Sequence, residues 1–342
     1  MIRKILRRYL PGWFYDYFRA YLAMRRLKST YLYDIKRYFQ YSDYFFNNSE
    51  ERIMMRIIHQ YHPIEKGLAM PKMRLGFGKE NILNLIEDCY AYKDRFLALA
   101  AQRYSAGFQH YNQALSILSE YKQVHLDAGF ELESNFLEKI DTLTKGLGSD
   151  FIYHQIETTR EDYFRDADSS FKNFSSSRHS LRNFVGKIKN EDLEKAIELA
   201  QNAPSACNRQ PGRVHVVENE VLKQKVLDIQ GGNSGFGSMA DKVLIVAVET
   251  AGYRGLAERN GMFVDGGIYA MNLLYALHSF RIGACPLNWS STPEKDILLR
   301  KTILISESQT VIMMIACGSP PDKFKLAYSK RSSVDTVIVN HA

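Results

Sequence analysis

The spacing of apolar residues changes character once along this chain, near its midpoint, and that change limits the folds open to it. In the first half, apolar side chains recur at about 3.6 positions. Ile82, Leu85, Ile86, Cys89 and Tyr90 begin such a stripe, and Phe96, Leu97, Leu99 and Ala100 continue it over residues 81–104. Leu115, Leu118 and Tyr121 mark a second helix over residues 111–126. A third, over 130–147, stops at Gly146 and Gly148 with Lys145 in its last turn. Three successive amphipathic helices predict a small antiparallel bundle. In the second half, runs rich in Val and Ile read as strands at 213–217, 243–248, 311–317 and 334–340. Between them lie a helix over 191–201, capped by Asn190 and followed by Pro204, and a long helix over 262–278. Strands and helices without regular βαβ alternation predict an α+β fold. The polar, charged stretch 150–173 carries the change of pattern. The chain divides into a basic aromatic arm (1–45), a helical domain (46–165) and a mixed domain (166–342).

Composition excludes several classes. With 45% hydrophobic and 24% charged residues, the 342-residue chain has the usage of a globular protein. Its four cysteines (Cys89, Cys207, Cys285, Cys317) are scattered without a CxxC pair, against a disulfide framework or zinc ribbon and in keeping with a reducing compartment. No apolar run approaches the ~18 residues of a membrane span. The Arg-, Tyr- and Trp-rich start lacks the apolar stretch of a secretory signal, so a cytoplasmic location is expected.

The net charge of +7 is concentrated at the start. Arg3, Lys4, Arg7, Arg8, Arg19, Arg25, Arg26 and Lys28 face the single acid Asp16, interleaved with Tyr9, Trp13, Phe14, Tyr15, Tyr17, Phe18 and Tyr21. Cations among amphipathic rings suit the surface of an anionic membrane, contacted through residues 1–30. They equally suit a basic helical arm packed on protein. Nucleic acid is disfavoured, since no helix-turn-helix, zinc-finger or RNP pattern accompanies the charge.

Two candidate motifs lose their force on inspection. Gly235, Gly237 and Ala240 are formally GxGxxA, but a strand follows them where a dinucleotide site needs a helix. His59, His62 and Glu65 suggest a metal site, but Pro63 is expected to break the helix that would align them. The loop that follows carries Lys66, Lys72, Arg74 and Lys79 among Gly67, Pro71, Gly76 and Gly78, so it either grips an anionic substrate or is simply solvated.

The segment Ser177 to Phe184 holds a stronger pattern. Arg178 and Arg182 lie four apart around Ser180, and one turn or helix start is expected to bring all three onto one phosphate. Downstream follow the helix over 191–201 and the run Pro204, Ser205, Ala206, Cys207, Asn208, Arg209, Gln210, Pro211. These elements, in this order, resemble the FMN-dependent nitroreductase family, which opens with Arg-(Arg/His)-Ser-x-(Arg/Lys)-x-Phe and continues to a Pro-Ser-x-x-Asn-x-Gln-Pro turn. The resemblance covers roughly residues 171–342. It implies a nitroreductase-like central sheet flanked by helices, and FMN as cofactor.

By the same resemblance Arg178, Ser180 and Arg182, with His179 in the family's second position, hold the flavin phosphate. Pro204, Ser205, Ala206 and Asn208 form the turn that lies along the flavin from the neighbouring subunit. Asn233 meets the isoalloxazine ring, and Pro286, Leu287 and Asn288 bring backbone near its N5. Lys330 and Arg331 are the late basic pair at the phosphate. Cys207 and Cys285, near the implied ring, read as small packing residues. The resemblance further implies a homodimer with flavins at the subunit interface and hydride taken from NAD(P)H. Reducing equivalents then pass to a small-molecule acceptor by a ping-pong sequence. No protein acid or base is called for.

Three further expectations follow. Gly266 and Gly267 inside the long helix permit close packing. The apolar tail 334–340 adds a strand to a neighbouring subunit or to an edge of its own sheet. Only about a dozen residues join the strand ending near Val248 to the helix starting near Met262, where the family inserts helices that roof the site. The helical domain, with the 62–79 loop, is expected to supply that roof, so that removing residues before about 150 leaves flavin binding intact and alters turnover. The extension loosely resembles that of nitroreductase-like proteins associated with polysaccharide biosynthesis. The rival reading is a non-catalytic scaffold or anion-binding module at a membrane surface.

Overall fold

The structure is a computed structural model that describes residues 11–42, 49–102, 105–145 and 147–341. Arg3, Lys4, Arg7, Arg8, Tyr9, Tyr104 and Gly146 lie outside the described residues. In chain order the helices are α1 (Gly12–Tyr41), α2 (Glu50–Leu68), α3 (Lys79–Arg95), α4 (Leu97–Gln102), α5 (Ala106–Asp127), α6 (Ser134–Thr144), α7 (Arg160–Phe164), α8 (Phe171–Ser177), α9 (Asn190–Ala200), α10 (Glu220–Gln230), α11 (Gly261–Ser279) and α12 (Pro293–Ile303). The strands are β1 (Ile156–Thr159), β2 (Gly212–Val217), β3 (Lys242–Glu249), β4 (Gly283–Asn288), β5 (Gln309–Gly318) and β6 (Lys323–Leu326). The architecture is α+β, with a helical region preceding the sheet.

Two compact units make up the chain. One comprises the described residues up to 42 with Tyr253–Asn260; the other runs from Ser49 to Gly252 and from Gly261 onward. Within the first, α1 is 30 residues long and buries none of them. Arg19 lies over the Tyr15 ring at 5.6 Å and Arg37 over Tyr33 at 5.7 Å. Arg259 clamps Asp34 with two bonds of 2.6 and 2.8 Å, which holds that carboxyl below its ordinary range. No helix among the described residues is long and apolar enough to cross a membrane.

In the second unit the helical part has its own core. Ile53, Ile57, Tyr61, Ile64 and Leu68 line the buried face of α2 at helical spacing and pack with Leu85, Ile86, Leu118 and Ile140. That packing overrides Pro63: α2 continues through it, contrary to the expected break, because the buried residues on both sides hold the two turns together.

The central sheet is antiparallel in the order β2-β3-β5-β4. Val214 pairs with Val246, Val243 with Ala316, and Cys285 with Ala316. Alternate residues of β3 serve opposite faces, as the period of two requires. Leu244 and Val246 pack with Leu193, Ala196, Leu273 and Leu277 of α9 and α11. Val243 and Ile245 pack with Leu181, Phe184, Val226 and Phe236 on the other side. Gly266 is where α11 crosses the sheet most closely, since a Cβ there would meet Ile312 Cγ1 at 2.5 Å; Gly267 faces open space. Pro286 lies in β4, the edge strand, where its missing N–H interrupts no ladder.

Four local expectations are corrected. The polar stretch 150–173 holds structure: β1 pairs with β6, and Tyr163 and Phe164 are core residues. Asn190 is the first residue of α9 and makes no side-chain cap, because Lys189 occupies the cap position. Residues 334–340 form no strand; Val334–Thr336 is a single 3-10 turn, and Val337 and Val339 are exposed with no strand alongside them to complete a ladder. Cys207 is exposed, its Sγ 3.6 Å from Arg209 Nη2, whereas Cys285 is buried.

Candidate functional site

The Arg178–Arg182 segment leaves α8 and runs without helix or turn along the outer edge of β4. Leu181 N donates to Ala284 O at 2.9 Å, and Val185 N donates to Ser319 O at 2.9 Å. The expected turn is therefore replaced by extended chain. The residues converge because Leu181 is sunk fully into the core, which turns Ser180 and Arg182 away from it. Tyr163 Oη donates to His179 O at 2.7 Å and fixes the backbone between the two arginines. Tyr163 is a residue of the candidate site that the sequence reading missed. Its signal was an aromatic pair inside an otherwise charged stretch.

Charge gathers around the Cys285 thiol. Burial raises its pKa, while Arg182, Lys66 and Arg178 all act to lower it. Lys66 is itself held below its ordinary pKa, first by burial and then by the Arg182 charge. Burial, Arg178 and Arg331 together lower His179. Arg182 Nε is buried without a hydrogen-bond partner. Buried donors are nearly always satisfied, so an orphaned guanidinium N–H among unpaired cations marks a place for an anion. Arg178, Ser180, Arg182 and His179 thus share one neighbourhood, and this donor set fits the phosphate of a flavin nucleotide.

The late basic pair divides. Arg331 is exposed and donates to Ser329 O at 3.2 Å, and its charge acts on His179 and Tyr61. Lys330 turns instead onto aromatic residues: its ammonium bonds Tyr153 Oη and sits 4.0 Å from that ring's centre, with Tyr328 stacked on Tyr153 at 4.9 Å. The segment is anchored from the helical region. Glu65, wholly buried, accepts from Ser329 N at 3.2 Å and from Gln113 Nε2 at 3.1 Å, and pairs with His62 at 3.3 Å. Gln109 Oε1 accepts from Ser333 N at 3.0 Å. With Glu65 so occupied, the His59, His62 and Glu65 set assembles no metal centre, and no group of three metal-ligating side chains is found among the described residues.

The turn from Pro204 to Pro211 is strained. Cys207, Asn208 and Gln210 all take positive φ, at 54°, 53° and 49°, a region that L-residues enter at about 1–2 kcal/mol each. Two anchors hold it: Ser205 Oγ accepts from Gln210 N at 2.9 Å, and the buried Asp265 carboxylate accepts from Ala206 N at 3.2 Å. Pro204 and Ser205 line a cavity of about 430 Å³, and no residue of the cation cluster lines it. Ala206 and Asn208 are exposed beside it. In the single chain, turn and cations are separate.

Asn233 lies in the Gly-rich loop after α10, but its amide donates inward, to Leu227 O at 2.6 Å and Gln230 Oε1 at 3.0 Å. The loop is tied to β4 by Gln230 Nε2 donating to Asn288 O at 3.0 Å. Along β4, Leu287 is buried and Asn288 exposed, with Pro286 between these extremes. A second cavity, of about 450 Å³, opens between this loop and the end of α2 with the loop that follows; Lys66, Met70, Arg74, Phe77, Gly231 and Gly235 are among its walls.

Residues 176–233 match the model of the Nitroreductase family. A curated protein of Archaeoglobus fulgidus, provisionally named NADH dehydrogenase/NAD(P)H nitroreductase, is 28% identical over 149 residues, or 43% of this chain and 83% of that protein. Among solved structures, a nitroreductase of Exiguobacterium sibiricum in complex with FMN is 16% identical, covering 51% of this chain and 98% of its own, at a TM-score of 0.45. An NAD(P)H:FMN oxidoreductase of Staphylococcus epidermidis is 21% identical, covering 51% of this chain and 96% of its own, also at 0.45. The matched segment begins just before Arg178, crosses the strained turn and ends at Asn233. By sequence, the C-terminal part of this chain carries a nitroreductase-family domain.

Proposed function

We propose that this protein is an FMN-dependent oxidoreductase of the nitroreductase type, working as a homodimer and using NAD(P)H to reduce a small-molecule acceptor by a ping-pong sequence. The observation that carries it is the Arg182 Nε, buried without a hydrogen-bond partner in the family-matched segment. When bound, FMN supplies the redox chemistry, accepting hydride from NAD(P)H and passing reducing equivalents on. The chain's residues bind and orient. Arg178, Ser180 and Arg182 hold the phosphate, and Arg331 adds charge from the far end of the chain. The β4 backbone from Pro286 to Asn288 would bring its amides to the ring edge.

The separation of the strained turn from the cations supports the dimer, since a turn that serves its partner's flavin need not reach its own. Met70 and Gly235 line one cavity, and a Cβ built on Gly235 would lie 3.6 Å from Met70 Sδ, which supports the reading of the helical region as the roof. The cavity it helps enclose is then the acceptor's entry, with Lys66 and Arg74 favouring an anionic compound. The test is spectroscopic: the purified protein carries or takes up FMN, and NADH or NADPH bleaches it. A colourless protein that rejects added FMN overturns the proposal.

The bare surface of α1 favours a second reading for the arm, contact with an anionic membrane. Trp13, Tyr17, Tyr21 and Tyr38 are each more than half exposed beside Arg19, Arg25, Arg26 and Arg37. Flotation with phosphatidylserine vesicles, lost when residues 1–42 are removed, supports it; flotation unaffected by that removal overturns it. A colourless protein that floats would favour the non-catalytic surface module.

A further inference from the structure

The cavity between the glycine-rich loop and the end of α2 has walls of one charge only. Lys66, Lys72 and Arg74 line it from the helical side, and no carboxylate among the described residues does. Lys295, in the first turn of α12, brings a fourth cation to the opposite wall, where a Cβ built on Gly231 would lie 3.5 Å from its Nζ. The loop that bears Lys72 and Arg74 is fixed from behind. The Phe77 ring fills the position a side chain at Gly67 would take, Phe77 O accepts from Tyr121 Oη at 2.9 Å, and Gly76 N donates to the buried His125 Nε2 at 3.0 Å. Lys72 and Arg74 themselves are exposed, so they meet a ligand at the opening without having lost their hydration beforehand. Gly231, Gly232, Ser234 and Gly235 make the facing wall and bracket Asn233, which on the flavin reading sets the cavity beside the ring.

We propose that this cavity selects NADPH over NADH, with Lys72 and Arg74 as ligands of the ribose 2′-phosphate. This rests on the flavoenzyme reading, in which reductant and acceptor use one opening in turn, so that the acceptor meets the same cations. Charge decides between the two coenzymes. The pyrophosphate they share brings about two negative charges, and the 2′-phosphate adds roughly 1.5 to 2 at pH 7. Lys66, Lys72, Arg74 and Lys295, with no carboxylate lining the cavity, match the larger total and exceed the smaller. Arg74 offers the planar fork that suits a phosphate, and Lys72 a compact point charge two residues away.

The test uses the full chain, with Lys72→Gln, Arg74→Gln and the double variant beside wild type. Two readouts are kept apart. One is the efficiency with which NADPH and NADH bleach the bound FMN; the other is calorimetric binding of adenosine 2′,5′-bisphosphate against AMP, which involves no reduction. Wild type is expected to favour NADPH about tenfold or more in kcat/KM, and the bisphosphate by a similar factor, as charge-assisted contacts to one added phosphate require. Each single variant should lose part of both preferences and the double variant about tenfold of each. NADH turnover should stay within about threefold in the double variant, with FMN affinity and melting temperature unchanged, since both side chains are exposed. If wild type takes up FMN but lacks either preference, or the double variant keeps either, the inference fails and the flavin reading stands. If wild type takes up no FMN, both fall.

Discussion

Leu181 occupies the space where a side chain at Gly283 would be: a Cβ built there lies 2.2 Å from Leu181 Cδ2 and 3.0 Å from Gly318 O. The bare backbone of β4 lets the arginine-bearing segment lie directly on the sheet edge, and the direction of Arg178 and Arg182 depends on that contact. Gly283→Ala is therefore expected to cost about 1–3 kcal/mol in urea unfolding, the range for overpacking a tight contact. It should also weaken FMN more than riboflavin. Unchanged stability and affinity together would remove Gly283 from the argument.

The division of the late basic pair makes opposite forecasts for adjacent residues. Arg331→Ala should lower FMN affinity by about tenfold with little change in unfolding, since it loses a charge at the anion site. Lys330→Ala should cost about 1 kcal/mol of stability through its tyrosine contacts and leave FMN affinity within about threefold. Titration and urea melts of both variants check this, and exchanged phenotypes would contradict the assignment.

Glu65 links the two halves of the second unit. Glu65→Leu leaves Ser329 N and Gln113 Nε2 without their acceptor, at about 1–3 kcal/mol for each buried group left unpaired. Removing every residue before about 150 also takes away Gln109, the partner of Ser333 N. With these anchors gone, and against the expectation that flavin binding stays largely intact, such a truncation should lose FMN, which gel filtration with absorbance at the flavin band would show. A truncated protein that stays yellow would restore the earlier expectation.

His278 predicts the pH dependence of stability. Its Nε2 meets Ser177 Oγ at 3.0 Å, its Nδ1 is buried without a partner, and burial with the nearby Arg178 pushes its pKa down to about 4. The unfolded chain therefore takes up this proton at higher pH than the folded one. The stability that the neutral ring contributes is complete above about pH 6.5 and is lost as pH falls toward about 4, up to roughly 3 kcal/mol for a shift of this size. His179 and His110, lowered mainly by burial, act in the same sense. Urea midpoints should fall between pH 7.5 and 5, and His278→Gln should flatten that slope. An equally steep slope in the variant would exclude His278 as its source.

The sequence by itself determined what depends on neighbours along the chain. Periodicity located α3, α5 and α6 in the first half, and β-branched runs located β2, β3 and β5. Local charge marked Arg178 and Arg182, and the motif order carried the family likeness. These were legible because helical and strand spacing, turn residues and charge are local properties. It could not give β1 and β6, four residues each and paired across most of the second unit, since such strands exist only through their partners. It misjudged Pro63 because a broken helix is the local answer, and burial of Ile57, Tyr61 and Ile64 on α2 is not local. Only the tertiary structure seated Lys330 on Tyr153 and left Arg331 exposed, for residues adjacent in sequence differ here in the packing that receives them. Lys66 was visible as one cation in a basic loop; its half-burial on a wall shared with Gly231 and Gly235 was decided by the fold, because burial arises only when distant segments meet.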